Sequence, residues 1–139
     1  MPSYLLTATV IGVLAQRLVR SLCKHCKEPD PDLQPEDLGK ALPGWPVAEL
    51  TGGTFQPYRP VGCLDCRMTG YRGRSGLFEL LTMDEAVRNS IAEPMDLARV
   101  RKQSLAQGLT PLRLAGLRKV SQGVTTLDEV LRATPDFLR

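Results

Sequence analysis

The chain has 139 residues, a formal net charge of +3 and only 5% aromatic residues. That length admits one domain with a real core or two small modules, and excludes a complete nucleotide-driven motor. A pI near 8.8 would assist binding to phosphates or anionic lipid but falls short of the value above about 9 expected of a dedicated nucleic-acid domain.

From Leu5 to Leu22 the residues Ile11, Leu14, Leu18 and Leu22 recur at spacings of three, four and four, which predicts one face of a helix. Gln16, Arg17 and Arg20 take the other faces. The apolar run Tyr4–Ala15 raises a secretory reading, with Ala15 as a small cleavage-site residue, which would turn the cysteines into disulfides. No Lys or Arg precedes it and it is about half the length of a membrane span. The favoured compartment is therefore a reducing cytoplasm, with no transmembrane segment. A helix this apolar has nothing upstream to cover it, as is expected of a fragment of a longer chain.

All four cysteines fall in two pairs, Cys23-Lys24-His25-Cys26 and Cys63-Leu64-Asp65-Cys66. Two residues between cysteines let a tight turn aim both sulfurs at one point, and two such turns supply the four thiolates of a tetrahedral Zn²⁺ site. The 36 residues between the pairs exceed the roughly 15 to 20 of a compact zinc ribbon, so the intervening chain must loop out and return. Closure entropy grows slowly with loop length and is small against the ~10–16 kcal/mol apparent binding energy of a structural zinc. Redox dithiols and an iron-sulfur cluster are the rival readings, and His25, the only histidine, could replace one sulfur. Four thiolates leave no open position, so a zinc here would be structural.

Lys27 to Gly62 carries seven prolines, which forbid a long helix or a central strand. A short helix is predicted from Pro35 to Ala41, and Trp45 is expected to pack over the metal module, with an exposed partner anchor as the alternative. The stretch 69–76 (TGYRGRSG) reads as a glycine turn, and Leu77–Leu81 as the best strand in the chain. Arg72 and Arg74 would project from one side of an extended backbone and could meet a single anion. The plain alternative is two solvated arginines.

From Thr82 onward the punctuation is helical. Thr82 with Glu85 and Thr126 with Glu129 match the capping box. Pro94 ends a first helix, Asp96 and Gly108 bracket a second, and Pro111 and Gly123 bracket a third, giving four short helices. Their apolar residues, among them Val87, Leu97, Leu117, Val130 and Leu131, suffice for a small shared core. Arg99, Arg101, Lys102, Arg113, Arg118 and Lys119 are expected on a basic surface. There is no G-x-x-x-x-G-K-[ST] loop, and one histidine excludes most hydrolytic triads.

The motifs 15–20 (AQRLVR) leading to Cys23-x-x-Cys26, Gly62-Cys63-x-x-Cys66, 69–74 (TGYRGR) and Gly123-x-Thr125-Thr126-x-x-Glu129-Val130 resemble the C-terminal part of the type II secretion and type IV pilus assembly ATPases. The resemblance runs from Leu5 to Thr134. It implies a mainly α fold with a small α+β zinc module, a fragment of the C-terminal domain of a RecA-like ATPase: residues 1–22 as the terminal helix of the RecA-like core, 23–81 as the tetracysteine module with its Pro-rich loop, and 82–139 as a helical subdomain. It further implies structural Zn²⁺ on Cys23, Cys26, Cys63 and Cys66, with ATP and Mg²⁺ bound only in the full-length enzyme. The expected partners are the other subunits of a homohexamer and an inner-membrane platform protein, at a cytoplasmic, membrane-peripheral location and without nucleic acid. Arg74, Arg72 and Arg17 would lie near the nucleotide or a subunit boundary. Lacking Walker A and B boxes, this chain is expected to be inactive alone. The alternative is a free-standing zinc-ribbon protein that binds nucleic acid through its arginines.

Overall fold

The computed structural model describes residues 2–91 and 96–135. In chain order the elements are α1 (Ser3–Thr9), β1 (Gly12–Leu22), β2 (Glu28–Pro29), α2 (Pro35–Ala41), α3 (Val47–Thr51), β3 (Tyr58–Arg59), β4 (Tyr71–Thr82), α4 (Glu85–Ser90), α5 (Leu97–Ala106), α6 (Leu112–Ser121) and α7 (Leu127–Ala133). The chain is thus a mixture of short helices with two small sheets, β1 with β4 and β2 with β3. No helix among the described residues is long and apolar enough to cross a membrane.

The helix expected over residues 5–22 is not formed. Only Ser3–Thr9 is helical, and Gly12–Leu22 is an extended strand. The Ile11 carbonyl accepts from the Met83 amide at one end, and Ser21 Oγ meets Ser75 Oγ at 3.1 Å at the other, so β1 and β4 run antiparallel. Pairing selects the period-2 signal over the helical one: Ala15, Val19 and Ser21 turn inward on β1, and Ser75, Leu77, Glu79 and Leu81 do so on β4. Leu14 and Leu18, counted toward a helix face, are exposed. The predicted strand at Leu77–Leu81 exists but begins earlier, taking in most of the stretch expected as a turn; Gly73 (φ +81°) supplies the positive φ inside the strand.

Two compact units emerge, each built from two stretches of chain. One combines residues up to Ala15 with Phe78–Thr110. There Asp84, rather than Thr82, caps α4 by accepting from the Val87 amide (2.8 Å), because Thr82 is still the last residue of β4. Asp96 caps α5 as expected, accepting from the Ala98 amide at 3.0 Å, and Gly108 (φ +96°) follows its end. Arg99 donates through Nε to the Ser90 carbonyl at 2.9 Å. Pro94, expected to end the first of these helices, lies outside the described residues.

The other unit combines Gln16–Leu77 with the segment from Pro111 onward. Its core is Leu38, Leu42, Leu50, Leu114, Leu117, Val120 and Val130, drawn from α2, α3, α6 and α7 and their caps. The predicted helix Pro35–Ala41 is present with those limits; proline fills a position whose N–H has no partner anyway, and Gln34 and Asp37 close a reciprocal cap. Trp45 is partly buried and packs against this helical core. The apolar residues of the last four helices do not form one shared core, since α4 and α5 belong to one unit and α6 and α7 to the other, and Leu97 and Leu131 are exposed. Gly116 lets α7 close on α6, as a Cβ there would stand 2.6 Å from Val130 Cγ1.

The basic surface also needs correction. Arg113 is buried and donates to the Ala41 carbonyl (3.1 Å) and to both the carbonyl (2.9 Å) and hydroxyl (3.1 Å) of Thr134. Arg118 is held by Glu49, through its carbonyl at 2.9 Å and its carboxylate at 3.0 Å. Both serve the fold as donors to oxygens on or at the ends of helices.

Candidate metal centre

The Pro-rich excursion returns because its base is zipped. β2 and β3 pair antiparallel, Glu28 opposite Arg59 and Pro29 opposite Tyr58, immediately outside the two cysteine turns. The short turn between α6 and α7 ties this base to the helices. The Ser121 carbonyl accepts from the Gln56 amide (2.7 Å), the Val124 carbonyl from the Leu22 amide (2.8 Å), and the Gly123 carbonyl from Lys27 Nζ (2.9 Å). Lys27 also lies over the Tyr58 ring, 4.4 Å from its centre.

Cys23, Cys26, Cys63 and Cys66 are brought together with all four sulfurs within 4.8 Å of one another. Three of the separations are 3.8 Å (Cys23 to Cys63), 3.8 Å (Cys26 to Cys66) and 3.7 Å (Cys63 to Cys66). A tetrahedron with Zn–S bonds of about 2.3 Å has edges of about 3.8 Å, whereas a disulfide requires an S–S distance of about 2.05 Å. The donor set is therefore arranged to hold a tetrahedral metal ion, with two ligands buried and two half-buried. His25 stays out of the cluster, its Nε2 standing 3.6 Å from an Asp65 carboxylate oxygen; these two residues occupy equivalent places in the two turns.

Backbone amides converge on the sulfurs as well. Gly62 donates to Cys26 Sγ (3.3 Å), and Cys63 and Gly70 both donate to Cys66 Sγ (3.2 Å each). Burial would push the Cys66 thiol up, but these amide bonds and the neighbouring sulfurs pull it down to about 6. A backbone hydrogen bond with Cys66 lowers the Cys63 thiol, yet burial and the sulfurs of Cys66, Cys23 and Cys26 outweigh it and push it up to about 11. Crowded sulfurs cannot all ionise alone, and a divalent cation is what permits four thiolates in this volume. In the second turn Arg67 (φ 55°) and Met68 (φ 65°) adopt left-handed conformations, costing about 1 kcal/mol or more each. The Met68 amide secures that turn on the Cys63 carbonyl at 2.8 Å.

Sequence reasoning assigned no ligand-supporting role to Gly62 or Gly70. Gly70 (φ +83°) donates to one sulfur while its carbonyl accepts from the Cys23 amide (2.9 Å), and a Cβ there would fall 2.4 Å from Pro60 Cβ. The signal was present in the adjacency of both glycines to the second cysteine pair, but only the folded turn shows their amides facing sulfur.

The arginines are placed less uniformly. Arg74 lines a cavity of about 360 Å³ together with Leu18, Val19, Arg20 and Arg132. Arg72 is exposed on β4, and Arg17 is exposed on β1 with Nη1 donating to the Gln16 carbonyl at 2.8 Å. Beside the cavity sits a carboxylate that the capping-box reading had misassigned. Thr126 does cap α7, accepting from the Glu129 amide (3.3 Å), but the Glu129 side chain does not reach back to it. Instead it accepts from the Arg20 amide (2.7 Å), from Arg20 Nε (3.1 Å) and Nη2 (3.3 Å), and from Arg132 Nε (3.2 Å) and Nη2 (3.1 Å). Burial would raise the Glu129 carboxyl, but the bonds from Arg132 and Arg20 lower it from 4.5 to about 2.

The type II/IV secretion system protein family model matches residues 1–132. The chain belongs to this family. It is 42% identical over 132 residues to the "Type IV pilus assembly ATPase TfpB" of Acinetobacter baylyi, covering 95% of this chain and 22% of that protein. It is 42% identical over 130 residues to the "Type IV pilus assembly ATPase PilB" of Thermus thermophilus, covering 93% and 14%. The "Type II secretion system protein E" of Aeromonas hydrophila is 41% identical over 132 residues, covering 94% and 25%. The chain thus spans a quarter or less of the length of these curated relatives.

Two outcomes follow from the centre and its neighbour. Gly70→Ala, whose Cβ would displace the turn from Pro60, is expected to weaken metal binding about tenfold or more, as loss of support around metal ligands does, in a competition titration of divalent cations against a chromogenic chelator; unchanged affinity would remove the Gly70 turn from the account. Because the folded pKa of Glu129 lies below its unfolded value, its contribution is fully present above about pH 4.5 and is lost as pH falls toward 2. The size is about 3 kcal/mol. Glu129→Gln should therefore flatten the acid limb of a stability-against-pH curve measured by denaturant titration, and an unaltered limb would count against the ion-pair assignment.

Proposed function

We propose that this chain forms the zinc-stabilised C-terminal domain of a hexameric ATPase that powers type II secretion or type IV pilus assembly. The observation that carries the reading is the family match over residues 1–132 together with four sulfurs arranged for one tetrahedral metal. Residues 1–22 would close the RecA-like core, 23–81 would form the metal module and 82–139 would supply the helices that follow it, α4 and α5 within one compact unit and α6 and α7 within the other. Cys23, Cys26, Cys63 and Cys66 would hold Zn²⁺, whose chemistry there is to neutralise four thiolates and lock two turns together. ATP and Mg²⁺ would be bound by the full-length protein, since this sequence carries no phosphate loop of its own.

The metal module would fix the Pro-rich excursion against the helices, and the helices would pass nucleotide-dependent movement to neighbouring subunits and to an inner-membrane platform protein. Arg74, and with it Arg72 and Arg17, would face the nucleotide or a subunit boundary. The nucleic-acid alternative is weakened by Arg113 and Arg118, which spend their donors inside the fold.

In the full-length protein, Cys63→Ser is expected to reduce bound zinc below one per chain and to abolish secretion or piliation, read by metal analysis and a cell-based assay. Unchanged zinc and unchanged export would sink the structural-metal role. Arg74→Ala in the assembled hexamer is expected to lower ATP turnover about tenfold or more, and a wild-type rate would remove Arg74 from the site.

A further inference from the structure

The cavity bordered by Leu18, Val19, Arg20, Arg74 and Arg132 carries three guanidinium groups and has one carboxylate, Glu129, beside it. Arginines on a surface are ordinarily free to turn toward water, but two of these are fixed. Arg20 is held by its amide on Glu129 (2.7 Å), by its carbonyl, which accepts from Thr125 Oγ1 (2.7 Å), by Nε and Nη2 on Glu129, and by the Tyr71 ring 4.0 Å away. Arg132 is held on the same carboxylate through Nε and Nη2. Glu129 is almost wholly buried, with 3% of its side chain exposed, whereas Arg20 and Arg132 are 50% and 63% exposed.

We propose that this cavity is a binding site for a dianionic phosphate group, with Arg20 and Arg132 pre-organised by Glu129 and Arg74 as the third donor. The proposal deepens the reading of Arg74 as an arginine on the nucleotide side and rests on it, adding the residues that would share the ligand and the charge of that ligand. Among the described residues, three guanidinium groups against one carboxylate leave two positive charges. A phosphate monoester or inorganic phosphate matches that charge, while a single carboxylate would leave one charge over.

The donor geometry points the same way. Both clamped guanidinium groups meet Glu129 through the Nε and Nη2 edge, so among the described residues the Nη1 end of each remains for another acceptor. Fork-shaped donors held in place lose little freedom when an oxyanion arrives, and each charge-assisted bond is stronger than a neutral one. Glu129 therefore plays two parts, ordering two arginines while lowering the local charge enough for them to stand side by side.

The test uses the zinc-loaded 139-residue chain in a buffer without phosphate at pH 8. Inorganic phosphate, ADP and ATP are titrated by calorimetry, and the arginine Nε–H resonances are followed by NMR. Saturable binding with shifts at Arg20, Arg74 and Arg132, competition by sulfate but not by acetate, and about tenfold or greater weakening in Arg74→Gln with unchanged circular dichroism are expected. Nucleotides binding tenfold more tightly than phosphate would identify a nucleotide as the source of the group; equal affinities would identify free phosphate. Arg132→Gln, which leaves the Arg20 to Glu129 pair intact, provides a second variant and should weaken binding comparably. Absence of saturation, wild-type affinity in both variants, or acetate competing as well as sulfate would overturn the proposal. If phosphate binding failed while turnover of the full-length enzyme still depended on Arg74, the cavity would be discarded and the nucleotide-side reading of Arg74 kept; phosphate binding with turnover indifferent to Arg74 would keep the cavity and discard that reading of Arg74.

Discussion

Four sulfurs from turns separated by 36 residues must meet within 4.8 Å. Like-charged groups at that distance repel, and a long loop offers no force to hold them. The chain answers with neutral and cationic donors on every side: amides of Gly62, Cys63 and Gly70 on the sulfurs, a two-residue ladder across the base of the loop, and Lys27 reaching the turn at Gly123. Each is a modest interaction in water. Together they pre-arrange a site whose remaining deficit of positive charge a single divalent cation would supply.

The α6–α7 turn is where this arrangement meets the rest of its unit. Leu22, Gln56 and Lys27 bond to it, Thr125 bonds to the Arg20 carbonyl, and the Tyr71 hydroxyl meets Thr126 Oγ1 at 2.9 Å. Strand, loop base and helix end therefore share one short segment. Gly123 makes the segment possible: φ is +76°, and a Cβ would enter the Tyr58 ring at 2.4 Å. Glu129, one turn into α7, extends the same connection with charge. A buried carboxylate bonded twice over by arginines adds little net stability compared with an apolar substitute, but removing one partner leaves a charge stranded, so it fixes which surfaces meet.

The sequence was legible wherever the signal was local. Pro35 at a helix start, Asp96 and Thr126 as caps, Gly108 and Gly123 after helix ends and the paired cysteines each act over a few residues, and each was readable in the chain alone. It was misleading where the deciding partner lay far away. The spacing of Ile11, Leu14, Leu18 and Leu22 satisfies a helix, and only pairing with β4, some sixty residues on, makes a strand of that stretch. Glu129 fits the capping box and would complete it in an isolated helix, but Arg20 and Arg132 offer stronger partners. Arg113 looked like surface because charge suggests water, yet helix-end carbonyls near Thr134 and Ala41 needed its donors. At the metal centre the ligands could be read directly, while the glycine amides behind them could not.

Each compact unit is assembled from two separated stretches, and for the unit holding the cysteines the second stretch begins at Pro111. A ribosome delivers the chain from the amino end, so both thiol pairs emerge before the helices that will shelter them. At roughly 5 to 20 residues per second, the interval between Cys66 and Thr134 lasts on the order of several seconds. Through that interval the nascent thiols face the cell's oxidants without α6, α7 or their connecting turn. The thiols are therefore made first and sheltered last, since the final stretch of the chain to emerge supplies the helices and the turn that close around them.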